Sequence, residues 1–180
     1  MASGDRPAGR FWPLVIGILA LDVVTKLWAE RALVPMHVPH DVIGDWVRLT
    51  LLYNPGAAFG LYLGDASRWI FMALTVVAVV IILRMYAQTR RDDVPRTIAL
   101  AMIFAGAIGN LIDRIRSDRG VVDFIDIGIG ATRWPTFNVA DIGVSCGAVL
   151  LALVLWREDR AHAAQASAAP AATGSTPAAP

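Results

Sequence analysis

Four apolar stretches, each long enough to cross a bilayer, divide this chain. They cover residues 11–29, 69–86, 97–112 and 137–156. A membrane-spanning helix needs about 20 mostly apolar residues at about 1.5 Å rise per residue, so each stretch predicts one transmembrane helix. All but the second contain, or end beside, an aspartate, an asparagine or both. A carboxylate at membrane depth costs about 2.5–3.5 kcal/mol, and is therefore typical of a functional site.

The connections between the stretches contain two runs with strand-like composition. Residues 46–53 and 120–127 are rich in β-branched and aromatic residues, and the turn signal Asn54-Pro55-Gly56 follows the first run. We expect a few short strands at the membrane surface. After Arg160 the chain turns to Ala, Pro, Ser, Gly and Thr, which cannot bury enough apolar surface to order itself. The predicted units are therefore a cytoplasmic lead at 1–10, a four-helix transmembrane domain at 11–157 and a disordered cytoplasmic tail at 158–180.

Composition supports a membrane protein and excludes several other classes. Of the 180 residues 56% are hydrophobic and 17% charged, against about 25% charged in soluble domains. The net charge of +1, without a basic cluster, predicts no nucleic-acid partner. Cys146 is the only cysteine and the three histidines lack ligand spacing, so we expect no disulfide, metal or cofactor. Asp22 and Lys26 interrupt the first stretch, which we interpret as a retained helix rather than a cleaved signal.

Arginine density gives a weak indication of orientation. Four arginines lie between residues 84 and 96, in and beside the short connection between the second and third stretches. Because cytoplasmic loops are enriched in arginine and lysine, this favours cytoplasmic termini. The long connections at 30–68 and 113–136 are then expected on the outer side of the membrane.

The polar residues near the ends of the stretches fall at helical spacing, three or four residues apart. They are Asp22 and Lys26 on the first stretch, Asn110, Asp113 and Arg114 on the third, and Asn138 and Asp141 on the fourth, with Asn54 in the turn. If these ends meet at one membrane surface, the side chains form a polar cup at the mouth of a helix bundle.

Simpler roles remain open for several of these residues. Asp22 and Lys26 could be a self-neutralising pair that only lowers the cost of insertion. Asn110 could make a single interhelical hydrogen bond worth about 0.6 kcal/mol. Arg114 could extend along the helix to the interface, as long cationic side chains do near membrane surfaces.

Asp123 and Asp141 are the strongest catalytic candidates. Asp123 lies among Val121, Val122, Phe124 and Ile125, and neither aspartate has a lysine or arginine close by in the sequence. Two such carboxylates, brought together at low dielectric, would share one proton. One member could then activate a water molecule while the other protonates the departing amine. That chemistry hydrolyses an amide without a metal or a nucleophilic side chain.

Five segments, in this order, resemble the lipoprotein signal peptidases (signal peptidase II), over roughly residues 11–157. The segments are Asp22-Val-Val-Thr-Lys26, Asn54-Pro-Gly-Ala-Ala-Phe-Gly60, Gly109-Asn-Leu-Ile-Asp-Arg114, Val121-Val-Asp-Phe124 and Phe137-Asn-Val-Ala-Asp141. The resemblance implies an all-α membrane protein of four transmembrane helices with a small periplasmic β-cradle and a short periplasmic helix. It implies a multi-pass aspartic endopeptidase of the bacterial cytoplasmic (inner) membrane, with its site at the periplasmic face.

The same resemblance implies the substrate and the roles of the residues. The enzyme would remove the signal peptide from diacylglyceryl-modified prolipoproteins, cutting before the lipid-bearing cysteine, with membrane lipids as its other partners. Asp123 and Asp141 match the catalytic pair. The positions that match supporting or substrate-binding residues are Asp22, Asn54, Asn110, Arg114 and Asn138; Lys26 and Asp113 match motif positions of less certain role.

Two other function classes compete with this interpretation. Intramembrane carboxylates also mark proton-coupled transporters, but a transporter would carry polar residues along its helices, and here the second stretch is bare. A presenilin-like protease would carry a Gly-x-Gly-Asp motif, which the sequence lacks.

Overall fold

A computed structural model describes residues 8–56 and 64–168 of the chain. Four long helices dominate it: α1 (Ala8–Ala32), α2 (Ser67–Gln88), α3 (Val94–Arg116) and α4 (Val139–Ala168). Each is long and apolar enough to span a membrane. The predicted four-span fold is therefore confirmed, and the chain is a multi-pass membrane protein.

Helix α3 is the centre of the bundle. It packs against α1, α2 and α4, and half of its most apolar window is buried inside the protein. Its start is well defined, since the Asp93 side chain accepts a hydrogen bond from the Arg96 backbone and Pro95 occupies the first turn. Close packing with α4 depends on Gly147, where a Cβ would lie 2.8 Å from the Ala99 carbonyl oxygen.

A four-stranded antiparallel sheet covers one end of the bundle. Its strands are β1 (His40–Ile43), β2 (Val47–Asn54), β3 (Val121–Ile129) and β4 (Thr132–Arg133), in that spatial order. The two strand-like runs of the sequence became β2 and β3, so that prediction is confirmed. A short 3-10 helix at Gly64–Ala66 precedes α2.

The sheet is joined to α1 by an apolar cluster. Its buried members are Ala29 and Leu33 of α1 with Leu51, Val122 and Phe124 of the sheet. Burial of each leucine, valine or phenylalanine contributes about 1.5–3 kcal/mol relative to exposure, so the cluster anchors β2 and β3 against the end of α1.

Two predicted boundaries differ from the structure. Helix α4 begins at Val139 rather than 137, because Phe137 exchanges backbone hydrogen bonds with Ile125 and so belongs to the sheet. It continues to Ala168, so disorder does not begin at residue 158. Residues 169–180, the rest of the expected tail, lie outside the described residues, as do residues 1–7 and residues 57–60 of the Asn54–Gly60 segment.

Candidate active site

The first turn of α4 fixes the orientation of Asp141. The Asn138 side-chain oxygen accepts a hydrogen bond from the Asp141 backbone N–H at 2.9 Å. In return, the Asn138 backbone N–H donates to Asp141 Oδ2 at 3.2 Å. This reciprocal pair is a capping box with Asn138 at the N-cap and Asp141 at the third helical position. The helix start thus holds one carboxylate oxygen of Asp141 in place.

Asn138 also connects the two candidate catalytic carboxylates. Its side-chain nitrogen donates to Asp123 Oδ1 at 2.7 Å and to the Val122 carbonyl at 3.2 Å. Asn138 is fully buried. One amide therefore contacts Asp123 through its nitrogen and the backbone of Asp141 through its oxygen.

Asn110 of α3 holds the other oxygen of Asp141. Its side-chain nitrogen donates to Asp141 Oδ1 at 2.8 Å. Its oxygen accepts hydrogen bonds from Lys26 Nζ at 2.9 Å and from Asn138 at 3.2 Å. Both oxygens of Asp141 are therefore held by groups from the ends of α3 and α4, and Asn110 makes more than one simple interhelical hydrogen bond.

Asp123 lies on β3, almost completely buried, with Asn54 of the neighbouring strand beside it. The Asn54 side chain donates to Asp123 Oδ2 at 3.2 Å. Burial and the nearby carboxylate of Asp141 raise the pKa of Asp123 to about 7, against the opposing effects of Asn54, Asn138 and Lys26. Near neutral pH Asp123 can therefore hold a proton that its neighbour Asp141 can share.

Lys26 is the centre of a buried ion network behind these carboxylates. Its ammonium group lies 2.9 Å from each of three acceptors: Asp22 Oδ2, Asp113 Oδ2 and Asn110 Oδ1. Three acceptors match the three N–H donors of lysine. Asp22 in turn accepts the Ala140 backbone N–H of α4 at 2.9 Å. Lys26 thus links α1 to α3, and Asp22 links α1 to α4, so the pair does more than neutralise itself.

Arg114 is buried beneath the turn after β2 and does not extend into the surroundings of the protein. It donates to the Gly56 carbonyl at 2.7 Å and to the Asn110 carbonyl at 3.2 Å. Its charge interacts favourably with Asp123, Asp141 and Asp113. The aspartates lack cationic neighbours only in the sequence, because the fold places Arg114 and Lys26 close by.

A cavity of about 670 Å³ extends from these carboxylates into the bundle. Its lining comes from α2, α3, α4, the strands β2 and β3 and the segment 134–137, and includes Asn110, Arg114, Asp123 and Asp141 at its polar end. Farther in, the wall is apolar, with Ile82 and Ile103. Leu74 and Ile142, which also line it, are 57% and 42% exposed on helices of membrane-spanning length. The cavity therefore opens between α2 and α4, where apolar side chains of both helices are exposed.

The structure joins all nine predicted site residues in one hydrogen-bonded and ionic network. Sequence reasoning missed the backbone groups that complete it: the Gly56 carbonyl, and the Ala140 N–H that binds Asp22. It also missed Gly109, where a Cβ would collide with the Asp22 carboxylate. No side-chain pattern in the sequence marks backbone groups. Gly109, however, directly precedes the candidate site residue Asn110, and a glycine beside a site residue is a signal that another group packs closely against the backbone there.

Comparison with known proteins gives the family. The family model of signal peptidase (SPase) II matches residues 14–157 of this chain. The chain belongs to the signal peptidase II family. A lipoprotein signal peptidase of Hydrogenovibrio crunogenus is 40% identical over 161 residues, covering 86% of this chain and 92% of that protein. Its counterpart in Geobacter sulfurreducens is 39% identical over 161 residues, covering 88% and 99%.

Solved structures of bacterial membrane enzymes share this fold. One bacterial membrane enzyme superposes with a TM-score of 0.76 at 27% identity, covering 84% of this chain and 90% of that one. A second gives a TM-score of 0.74 at 26% identity, covering 86% and 97%. The resemblance found in the five sequence segments is therefore confirmed at the level of family and fold.

Proposed function

We propose that this chain is an aspartic endopeptidase that removes signal peptides from diacylglyceryl-modified prolipoproteins. Asp123 and Asp141 are its catalytic pair. The observation that carries this proposal is the convergence of the two carboxylates on a single amide: Asn138 donates to Asp123 and caps Asp141. Membership of the signal peptidase II family gives the substrate class.

Asp123 holds the shared proton and Asp141 acts as the base. The raised pKa of Asp123 supports this assignment. Asp141 takes a proton from a water molecule, whose oxygen forms a bond to the scissile carbonyl carbon, while Asp123 gives its proton to the carbonyl oxygen. In the collapse of this intermediate, the carbon–nitrogen bond breaks as the amine leaves with a proton from Asp141. The proton of the collapsing hydroxyl returns to Asp123, which regenerates the pair.

The cavity binds the substrate on the membrane side of the pair. Its apolar wall suits the acyl chains or the hydrophobic segment of a signal peptide, and its polar end suits the backbone around the cut. Asn54 and Arg114 line the polar end, where they hold Asp123 and the Gly56 turn. Asp22, Lys26, Asn110, Asp113 and Asn138 support the pair.

The test is cleavage of a lipid-modified prolipoprotein by the purified protein in detergent or in vesicles. Asp123→Asn and Asp141→Asn should each lower the rate by about 10²–10⁴-fold or more, because asparagine cannot act as an acid or base. The double variant should be little worse, because the two groups act as one unit. Asp118→Asn is the matched control, since Asp118 is exposed. Asp126 is unsuitable, because it is buried in an ion pair with Arg133. Substantial turnover by either folded single variant would refute the two-aspartate mechanism.

The enzyme resides in the bacterial cytoplasmic membrane with this site on the outer face. Labelling of single cysteines by an impermeant thiol reagent tests the orientation, in a Cys146→Ser background. Ser117→Cys, after α3, should react from outside, and Arg91→Cys, between α2 and α3, only after the membrane is permeabilised. The reverse pattern would overturn this orientation.

A further inference from the structure

A second polar group lies behind the sheet, on the side away from the cavity. Glu30, near the end of α1, accepts a hydrogen bond from the Tyr53 hydroxyl at 3.0 Å through one carboxylate oxygen. Its other oxygen accepts a hydrogen bond from Arg116 at the end of α3, at 2.9 Å. The Arg119 guanidinium lies 3.9 Å from the centre of the Tyr53 ring. We call Glu30, Tyr53 and Arg116 the Glu30 bridge.

The bridge reaches Asp123 by a first route through β2. Successive side chains of a strand point to opposite faces. Tyr53 therefore faces α1 and packs on the apolar cluster around Leu51 and Val122. Asn54, the next residue, donates to Asp123 from the other face. Fixing the Tyr53 hydroxyl on Glu30 therefore fixes the strand position from which Asn54 reaches Asp123.

A second route passes through the end of α3. Arg116 lies 3.7 Å from Asp113 Oδ1 as well as beside Glu30. The other oxygen of Asp113 accepts the Val122 backbone N–H at 3.2 Å, one residue before Asp123. Contacts of Glu30 therefore support both β3, which carries Asp123, and β2, which carries its donor Asn54.

We propose that Glu30 is a positioning residue for catalysis, which holds Tyr53 and Arg116 so that Asn54 stays on the Asp123 carboxylate. Its side chain is 19% exposed and does not line the cavity, so it acts through other residues. This inference rests on the proposed function, because it needs Asp123 to be catalytic.

A positioning role for the Glu30 bridge predicts a change in the pH dependence of cleavage, which a role in folding stability alone would not cause. The groups that face Asp123 are Asp141 of α4, Asn138 before it, Asn54 of β2, Lys26 of α1 and Arg114 of α3. Of these, the hydrogen bond from Asn54 lowers the pKa of Asp123. Loosening Asn54 should therefore raise the pKa of Asp123, and the alkaline limb of activity should move to higher pH.

The experiment measures kcat, KM and pH profiles for Tyr53→Phe, Glu30→Ala and their double variant. Each single change should lower kcat about three- to tenfold with KM unchanged, in line with the loss of one positioning hydrogen bond. The double variant should lie within about twofold of the worse single one, because both changes break the same contact. Glu30→Gln keeps an acceptor for the Tyr53 hydroxyl and should recover most of the kcat lost in Glu30→Ala.

Asp41→Asn is the control. It breaks an exposed ion pair with Arg48 elsewhere in the sheet and should leave kcat unchanged. Variants with full kcat, effects that multiply in the double variant, or an unmoved alkaline limb would each overturn the role of Glu30. The wild type and Asp123→Asn are measured in the same assay, so that failure of the Glu30 proposal can be distinguished from failure of the proposed function. If the wild type cleaves and Asp123→Asn does not, the proposed function stands whatever the Glu30 variants do.

Discussion

Replacing Asn138 separates its two tasks, capping α4 and binding Asp123. Serine at this position keeps an oxygen that can accept the Asp141 backbone N–H, but it loses the amide N–H groups that reach Asp123 Oδ1 at 2.7 Å. Alanine loses both. We therefore expect Asn138→Ser and Asn138→Ala to be similarly impaired in catalysis but different in stability.

The size of each effect follows from the contacts. A hydrogen bond to a charged group contributes about 1.5–3 kcal/mol. Because the pair carries one negative charge, losing the donation to Asp123 should cost about 10- to 150-fold in kcat/KM for both variants. An N-cap side chain contributes about 1 kcal/mol. In a chain of this size that is about 2–4 °C in the unfolding midpoint, by which Asn138→Ala should fall below Asn138→Ser.

Two assays decide the outcome. Cleavage of lipid-modified prolipoprotein gives kcat/KM, and thermal unfolding in one fixed detergent gives the midpoint. Both variants should also show the alkaline limb at higher pH, because the hydrogen bond from Asn138 lowers the pKa of Asp123. An Asn138→Ser protein with nearly wild-type kcat/KM would show that the contact with Asp123 is not needed. Equal midpoints for the two variants would show that Asn138 does not act as a cap.

Three further predictions test other parts of the account. Burial and Asp141 raise the pKa of Asp123 to about 7, and its protonated form is the proposed acid, so kcat/KM should fall with rising pH and its alkaline limb should lie within about one unit of pH 7. A profile that stays flat to about pH 9 contradicts this. Truncation after Arg160 should change the cleavage rate by no more than about twofold, or ~0.4 kcal/mol, because residues 161–165 are exposed. Loss of most activity in a stable truncated protein would refute this prediction. Alkylating Cys146, which is exposed and lines the cavity, with a bulky maleimide should block cleavage in the wild type but not in Cys146→Ser; unchanged activity of fully alkylated protein argues against substrate binding there.

The spans and the polar cluster could be predicted from sequence because their signals are local. Apolar runs of this length are rarely anything but transmembrane helices. Asn138 and Asp141 lie three residues apart, so a common helix face was visible. The same spacing is also that of a capping box, which places the start of α4 at Val139 rather than at residue 137, where the apolar run begins.

The predicted start of the tail at residue 158 is wrong, and the sequence itself contains the reason. Residues 161–168 share the high alanine content of the tail, but the first proline of the tail is Pro170. Alanine is the strongest helix former, so the alanine-rich segment extends α4 to Ala168. Composition averaged over the whole tail concealed this difference.

The long-range contacts could not be predicted, because they depend on how the sheet is aligned on the helices. Glu30 is 86 residues from Arg116, and Arg114 is 58 residues from the Gly56 carbonyl. Nothing local marks either pair. The same is true of the counter-charges of the catalytic candidates, which look isolated in the sequence and acquire Arg114 and Lys26 only in the fold.

The opening of the cavity between α2 and α4 changes the way in which this enzyme would meet its substrate. A substrate that stays anchored by its acyl chains would arrive by lateral diffusion, so its search is two-dimensional. The concentration that governs the rate is then molecules per lipid, not molecules per volume of buffer. At fixed amounts of enzyme and substrate in shared vesicles, adding lipid should slow cleavage, whereas adding buffer should not.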